Sequence, residues 1–400
     1  MNTTSQTSNR SNCRRIALRG AHLFDGTGAE PVGDAVVICE GNRIVAAGSA
    51  GEVKTEPTDR VIDLRPWTLM PGMIDAHVHL WGIARSVDAP NAVEDRALRS
   101  AGEALALLRA GFTTVRDCGS ATTVMLKRMI DEGTLPGPRI VAAGMAIART
   151  GHHWLRIDPS WLWTRPANTV DECRAAARLA VQERSNFIKI ATSAGNGRAW
   201  GEIPTFTVDE VKAITDEAHH WGLRVASHSM GTKGVRIAVL GGVDTVEHAY
   251  NIDEATLGLI LEHGKLIVPT LRIMHKRLSP LGSQTYDHQV KSLEKACAAG
   301  AKIAMGTDST GAQGFENGPG NAIECALMAE VMPTKDILVS TTRTAAEALG
   351  IDKEVGTIEP GKAADIIALR DNPIVNIGTL QDATFVMHDG HVVRCDEPDG

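Results

Sequence analysis

Residues 224–249 read RVASHSMGTKGVRIAVLGGVDTVEHA and hold two short apolar runs, RVASHS and DTVEHA, each reaching a histidine near its end. Similar runs recur outward in both directions. Toward the N-terminus lie MPGMIDAHVH (70–79), FTTVRDCG (112–119), RIVAAGM (139–145) and FIKIATS (187–193). Toward the C-terminus lie LIVPT (266–270) and KIAMGTDS (302–309). Apolar runs of this length read as buried strands. Helical stretches lie between them. In VEDRALRSAGEALALLRA (93–110), Val93, Ala97, Leu98, Ala101, Ala104, Leu105 and Leu108 keep the i, i+3, i+4 stripe. VDECRAAARLAVQE (170–183), VDEVKAITDEAHHWG (208–222) and DEATLGLILEHG (253–264) follow, the last ending on a glycine placed as a helix C-cap. Alternating strands and helices demand a parallel sheet with helical crossovers, and eight such units predict an α/β chain built as a (β/α)8 TIM barrel.

The flanks have a different rhythm. From about residue 15 to 64 the runs IAL, AHLF, AVVICE, RIVAAG and VIDL alternate like strands, with Gly41-Asn42 as a turn. ADIIALR and ATFVMHDGHVVR repeat this at the far end, where Asp389-Gly390 is a strong hairpin signal. Neither segment is long enough to close a core alone. The two ends are therefore expected to pair into one small β-sandwich domain, residues 15–68 plus 353–400, around a catalytic barrel at 69–352, with the polar residues 1–14 disordered.

Composition narrows the function. Of 400 residues, 43% are apolar and 22% charged, which excludes a chain-long disordered, collagen-like or coiled-coil reading. With 41 Lys+Arg against 48 Asp+Glu, the charge of −7 gives no electrostatic case for nucleic acid or an acidic membrane. MNTTSQTSNRSNCRR (1–15) lacks the apolar core of a secretory signal, and no membrane-spanning run follows. Cys13, Cys39, Cys118, Cys173, Cys297, Cys325 and Cys395 form an odd, scattered set that reads as reduced thiols and a cytoplasmic location. A small-molecule partner is the expectation, in a homo-oligomeric protein.

Polar residues in buried parallel strands are costly unless paired or bound to metal. Here they gather where the strands end: His77 and His79 on the first, His228 on the fifth, His248 on the sixth and Asp308 on the eighth, with Lys189 inside the fourth. Those ends form the catalytic face of a TIM barrel. Residues i and i+2 of a strand share a side, so His77 and His79 can share one cation. A lysine buried beside divalent cations is disfavoured as an ammonium. As a neutral amine it can add CO2, giving a carbamate able to bridge two metal ions about 3.5–4 Å apart. The competing reading pairs Lys189 with Asp308 as an ordinary salt bridge.

PGMIDAHVHL, NFIKIATSAG, SHSMGTKGVRIAVLGGVDTVEHA, MGTDS and VGTIEPGKAADIIAL, in that order, resemble the amidohydrolase superfamily from about residue 17 to 394. Within it the chain is most similar to the Xaa-Pro dipeptidase-like and ochratoxin-degrading group. The resemblance implies that His77, His79 and Asp308 bind a buried metal, that His228 and His248 bind an exposed one, and that carboxylated Lys189 bridges both. Lys189 argues against the neighbouring imidazolonepropionases, which lack the bridging lysine. Zinc is the first expectation from the histidine-rich set, with manganese, cobalt or iron also open. The chain departs from its relatives at Met230, where many carry Tyr or His, and at Gly151-His152-His153, where they tend to have Gly-Gly-His.

The implied reaction is hydrolysis of an amide C–N bond by a hydroxide bridging the two metals, with Asp308 carrying a proton to the leaving amine. Trp81, Trp154, Trp161, Trp163 and Trp200 fall on predicted loops over the catalytic face, alongside Arg149, Arg156, Arg198 and Arg272. Indoles suit a bulky apolar group and arginine a carboxylate. His152, His153, Trp154, Arg198, Tyr250 and Arg272 are the candidate substrate contacts. The expected substrate is an N-acyl amino acid or dipeptide with a bulky apolar or aromatic group. A carbamate, urea, ester or lactone acted on by the same machinery is the alternative, and a non-catalytic scaffold the rival from another class.

Overall fold

The computed structural model describes residues 15–82, 92–157, 163–194, 203–275 and 282–396. Strands from the two chain ends join in one eight-stranded sheet. Its order runs His391–Cys395, Ala383–His388, Ile366–Leu369, Thr68–Pro71, Arg15–Leu23, Val32–Glu40 and Arg43–Ser49, with Arg60–Asp63 also on Arg15–Leu23. Ile366–Leu369 lies antiparallel to Thr68–Pro71, which is where the C-terminal part meets the N-terminal part. Both expected hairpins are present, closed by Glu40 against Arg43 and by His388 against His391. Asp389 and Gly390 take positive φ, +46° and +74°, as a tight two-residue turn requires. A Cβ on Gly390 would stand 1.9 Å from the Gly41 carbonyl oxygen, so the two turns abut and this position admits glycine alone.

The sheet is tied to the barrel by a buried polar joint. Asp365, 5% exposed, accepts from Arg139 at the start of a barrel strand, from His388 Nδ1 at 2.9 Å and from the Asp389 N–H at 2.8 Å. Arg139 Nη2 also donates to Asp389 at 2.8 Å.

Between the ends the chain forms the TIM-barrel fold, with parallel strands Met73–Val78, Phe112–Asp117 and Arg139–Ala142 in one sheet. Ala146–Ala148, Phe187–Ala191, Arg224–Ser229, Thr245–His248 and Leu266–Val268 are neighbours in another, in that order. The segment expected as the eighth strand differs from expectation. KIAMGTDS makes no continuous ladder; single parallel bridges join Ile303 to Ile267 and Ser309 to Val78, so it still lies between the seventh strand and the first. Two features accompany the break: Asp308 sits at φ +56°, and Gly306 passes so close to the first strand that a Cβ would meet His77 Cβ at 2.9 Å.

The helices pack outside, and a large apolar cluster runs between them and the strands. Helix Val93–Arg109 forms as expected, but its inward face is rotated from the expected stripe. Ser100, Ala104, Leu107 and Leu108 are buried, whereas Val93 is 43% and Leu98 78% exposed. Ser100 joins the buried face because its hydroxyl donates to Leu80 O at 2.7 Å. Among the described residues, no helix is long and apolar enough to cross a membrane, and the six described cysteines are free.

Candidate metal centre and active site

The ends of the barrel strands hold unusual backbone. His248, Ala249, Thr270 and Asp308 have φ of +72°, +46°, +52° and +56°. Non-glycine residues in this region cost on the order of 1–3 kcal/mol and persist where surrounding contacts hold them. Such contacts are present. The Asp308 N–H donates to His77 O at 2.7 Å, the Ala249 N–H to Ser229 O at 3.1 Å, and the buried Glu324 carboxylate accepts from the N–H groups of Leu271 and Arg272, both at 2.7 Å. On the first strand, buried Asp75 accepts from the N–H of His77 (3.0 Å) and of Thr307 (3.1 Å), and from Asn321 (2.8 Å), locking that strand to the Asp308 segment.

Side chains converge on this rim. Asp308 Oδ1 lies 3.1 Å from His79 Nε2 and 3.5 Å from His77 Nε2. Lys189 Nζ lies 3.2 Å from His77 Nε2. The ring of His248 is 5.3 Å from that of His77 and 4.5 Å from that of His228, edge to face with the latter. Asp308 thus pairs with the first-strand histidines, and the contact of Lys189 is with His77. His77 Nδ1 donates to Glu247 Oε2 at 2.7 Å, and Arg116 Nη2 donates to the other Glu247 oxygen at 2.8 Å.

This donor set fits divalent cations. His228 Nε2 and His248 Nε2 are buried and make no hydrogen bond among the described residues. A buried polar atom is expected to be satisfied, so two such nitrogens on rings 4.5 Å apart point to a missing partner. Because His77 gives its Nδ1 proton to a carboxylate, its Nε2 faces Asp308 with a lone pair. Two acceptors in that position are stabilised by a cation between them. The donor atoms of His77, His79 and Asp308 lie within 4.8 Å of one another.

Electrostatics agree. Burial pushes His77 down to about 4, with the Lys189 charge adding to the effect, and pushes His248 down to about 3. His228 is held well below the ordinary imidazole value by burial. These rings are neutral near pH 7, the form that binds metal. Burial alone would raise Asp308, but His77, His79 and His248 outweigh it and hold the carboxyl below its usual range.

The cluster floors a cavity of about 230 Å³, walled by Trp81, Trp154, Trp163, Met230, Ile273 and Met274, with His153 and Thr310 also on its surface. Trp81 and Trp163 meet edge to face at 4.1 Å, and Trp154 stacks on Trp163 at 6.3 Å. Of the candidate substrate contacts, His153 and Trp154 line this cavity. His152 lies behind the wall, donating from Nε2 to Ser193 O at 2.9 Å. Tyr250 is buried with Met230 and Met274. The Arg272 guanidinium turns to Ser309 Oγ and the Glu316 carbonyl. Arg149 reaches Thr205 O and Glu210. Arg198, Trp161, Trp200 and the side chain of Arg156 lie outside the described residues. Sequence reading passed over Arg116, Glu247 and Asp75. Their signal was available: each is a charge inside an apolar strand run, VRD, VEH and MID.

Comparisons with known proteins agree with this architecture. The chain matches the amidohydrolase family over residues 68–394. It is 27% identical over 416 residues to ochratoxinase of Aspergillus niger, spanning 92% of this chain and 83% of that protein. It is 25% identical over 379 residues to imidazolonepropionase of Symbiobacterium thermophilum, spanning 85% and 86%. Among solved structures, a Xaa-Pro dipeptidase with bound methionine superposes with a TM-score of 0.86 at 30% identity, covering 95% of this chain and 100% of that one. The chain belongs to the amidohydrolase family and is a hydrolase of C–N bonds.

Proposed function

We propose that this enzyme hydrolyses an amide joined to a bulky apolar or aromatic group, using two divalent cations held by His77, His79, Lys189, His228, His248 and Asp308. Zinc suits the histidine-rich set best. The observation that carries the reading is the pair of buried imidazole nitrogens on His228 and His248, without a hydrogen-bond partner among the described residues, beside the His77–His79–Asp308 cluster. Bound there, the cations would polarise the scissile carbonyl and acidify a water near neutral pH.

The remaining work falls to side chains. Lys189, fully buried with its Nζ 3.2 Å from His77 Nε2, would exchange an Nζ proton for CO2, forming an N–C bond and a carboxylate that would serve as a further metal ligand. Asp308, whose side chain is 18% accessible from the cavity, would take the proton of the attacking water on its carboxylate and deliver it to the leaving nitrogen. Trp81, Trp154 and Trp163 would hold the apolar group and exclude water from it.

Similarity to an ochratoxinase and a Xaa-Pro dipeptidase supports an N-acyl amino acid or dipeptide as the substrate. A second reading, a neutral carbamate, urea, ester or lactone, is favoured by the wall itself. Apart from the metal-ligand cluster and His153, its described residues are uncharged, and Arg272 is engaged elsewhere. Metal-loaded enzyme assayed on matched substrates, free acid against methyl ester or amide, separates the two. An advantage of about tenfold or more in kcat/KM for the free acid, about 1.4 kcal/mol, is expected for the first reading. Equal rates, or turnover confined to neutral carbamates and ureas, would establish the second.

A further inference from the structure

Arg116, in strand Phe112–Asp117, and Glu247, in strand Thr245–His248, are 1% and 0% exposed beneath the histidine cluster. Replacing a buried ion pair by apolar residues of similar volume is often neutral or stabilising, so its presence is weak evidence for a role in stability and invites another reason. The pair is fully engaged. Arg116 Nε donates to Ala76 O at 2.6 Å, Nη1 to Thr245 Oγ1 at 3.1 Å and Nη2 to Glu247 Oε1 at 2.8 Å. Thr245 Oγ1 donates to the same Glu247 oxygen at 2.5 Å. Among the described residues the hydrogen bond of Glu247 Oε2 is to His77 Nδ1, whose proton it accepts at 2.7 Å.

A carboxylate can only accept, so this bond decides the tautomer of His77. The contact at His248 has no such power: Thr270 Oγ1, 2.6 Å from His248 Nδ1, can donate or accept. Arg116 also grips the carbonyl of Ala76, the residue before His77, so one guanidinium fixes both the carboxylate and the backbone that carries the ring.

We propose that Arg116 and Glu247 are positioning residues for the metal centre. They hold His77 as the Nδ1–H tautomer, with the Nε2 lone pair turned toward Lys189 and Asp308 before any cation arrives. A carboxylate behind a ligating imidazole raises its basicity as well as orienting it. This inference rests on the metal-centre reading above and adds a requirement outside the ligand set.

The test uses full-length protein in three forms besides the wild type, with His77→Asn as a fourth for signal assignment. Arg116→Met with Glu247→Gln removes both charges together, so neither is left buried alone. Glu247→Gln alone removes the anion. Thr245→Val deletes the hydroxyl that braces both groups, at nearly constant shape and charge. Metal-free protein with 15N-labelled histidine, the His77 signal assigned by its loss in His77→Asn, should show His77 protonated on Nδ1 in the wild type and shifted toward Nε2 in the Gln variants. Competition with a chelator for Zn2+ should show about 10–100-fold weaker binding in the Gln variants and a smaller loss in Thr245→Val, with melting curves reporting the folded state. Wild-type tautomer and Zn2+ affinity in all folded variants would overturn the proposal. Wild-type protein that binds no divalent cation would instead overturn the metal-centre reading.

Discussion

Replacing Asp308 with asparagine isolates one charge in the reacting region. The residue sits at φ +56°, a conformation that Asp and Asn tolerate and that costs other non-glycine residues about 1–2 kcal/mol. Its backbone N–H bond to His77 O, 2.7 Å, does not involve the side chain, so Asp308→Asn should keep the local fold, whereas Asp308→Ala adds strain. Four imidazoles and Lys189 remain to hold metal. What is lost is the carboxylate that accepts and returns a proton, worth about 10²–10⁴-fold in rate, or about 2.7–5.5 kcal/mol of barrier. The assay is kcat for the best amide substrate, with metal content determined on the same preparation. A fall of that size at nearly unchanged metal content is expected. A variant with near wild-type kcat would refute the proton-transfer role.

Two further outcomes follow from the packing. Trp163 is 6% exposed between Trp81 and Trp154, so Trp163→Ala should cost about 3–5 kcal/mol in denaturant unfolding and raise KM for aromatic substrates more than for small ones. An equal change in KM for both would remove the indole wall from recognition. Asp365 is held down at about 2: burial opposes this, but His388, Arg139 and the Asp389 N–H outweigh it. A carboxyl depressed on folding stabilises above its unfolded value of 3.8, and that contribution, on the order of 2 kcal/mol, is lost as pH falls from about 4 toward 2. Asp365→Asn should therefore be less stable than wild type at pH 7, with the gap closing below about pH 4; a gap independent of pH would show that the charge is not what joins sheet and barrel.

The barrel was legible because each buried strand is a run of apolar residues, and the histidines stood out as costly exceptions in those runs. The same rule, applied to every charge in a strand, would have singled out Arg116 and Glu247, each buried one residue before the last of its strand and passed over in favour of the histidines, Lys189 and Asp308. The eighth strand was overread. KIAMGTDS has the composition of a strand, but the turn at Asp308 and the close pass of Gly306 by His77 are tertiary effects that alternation and propensity do not encode. The helix at 93–109 shows the same limit: Ser100 enters the buried face through a hydrogen bond to Leu80 O that no apolarity count detects. Loop arginines were harder still, since a guanidinium's reach lets it turn from the cavity, as Arg272 does toward Ser309 and Glu316.

The most direct test is metal content by elemental analysis of purified, metal-loaded protein, wild type beside Lys189→Ala. About two divalent ions per chain are expected in the wild type, with most of that metal lost when the bridging amine is removed. An active wild type free of metal, or a Lys189→Ala variant that keeps its full complement, would contradict the binuclear centre.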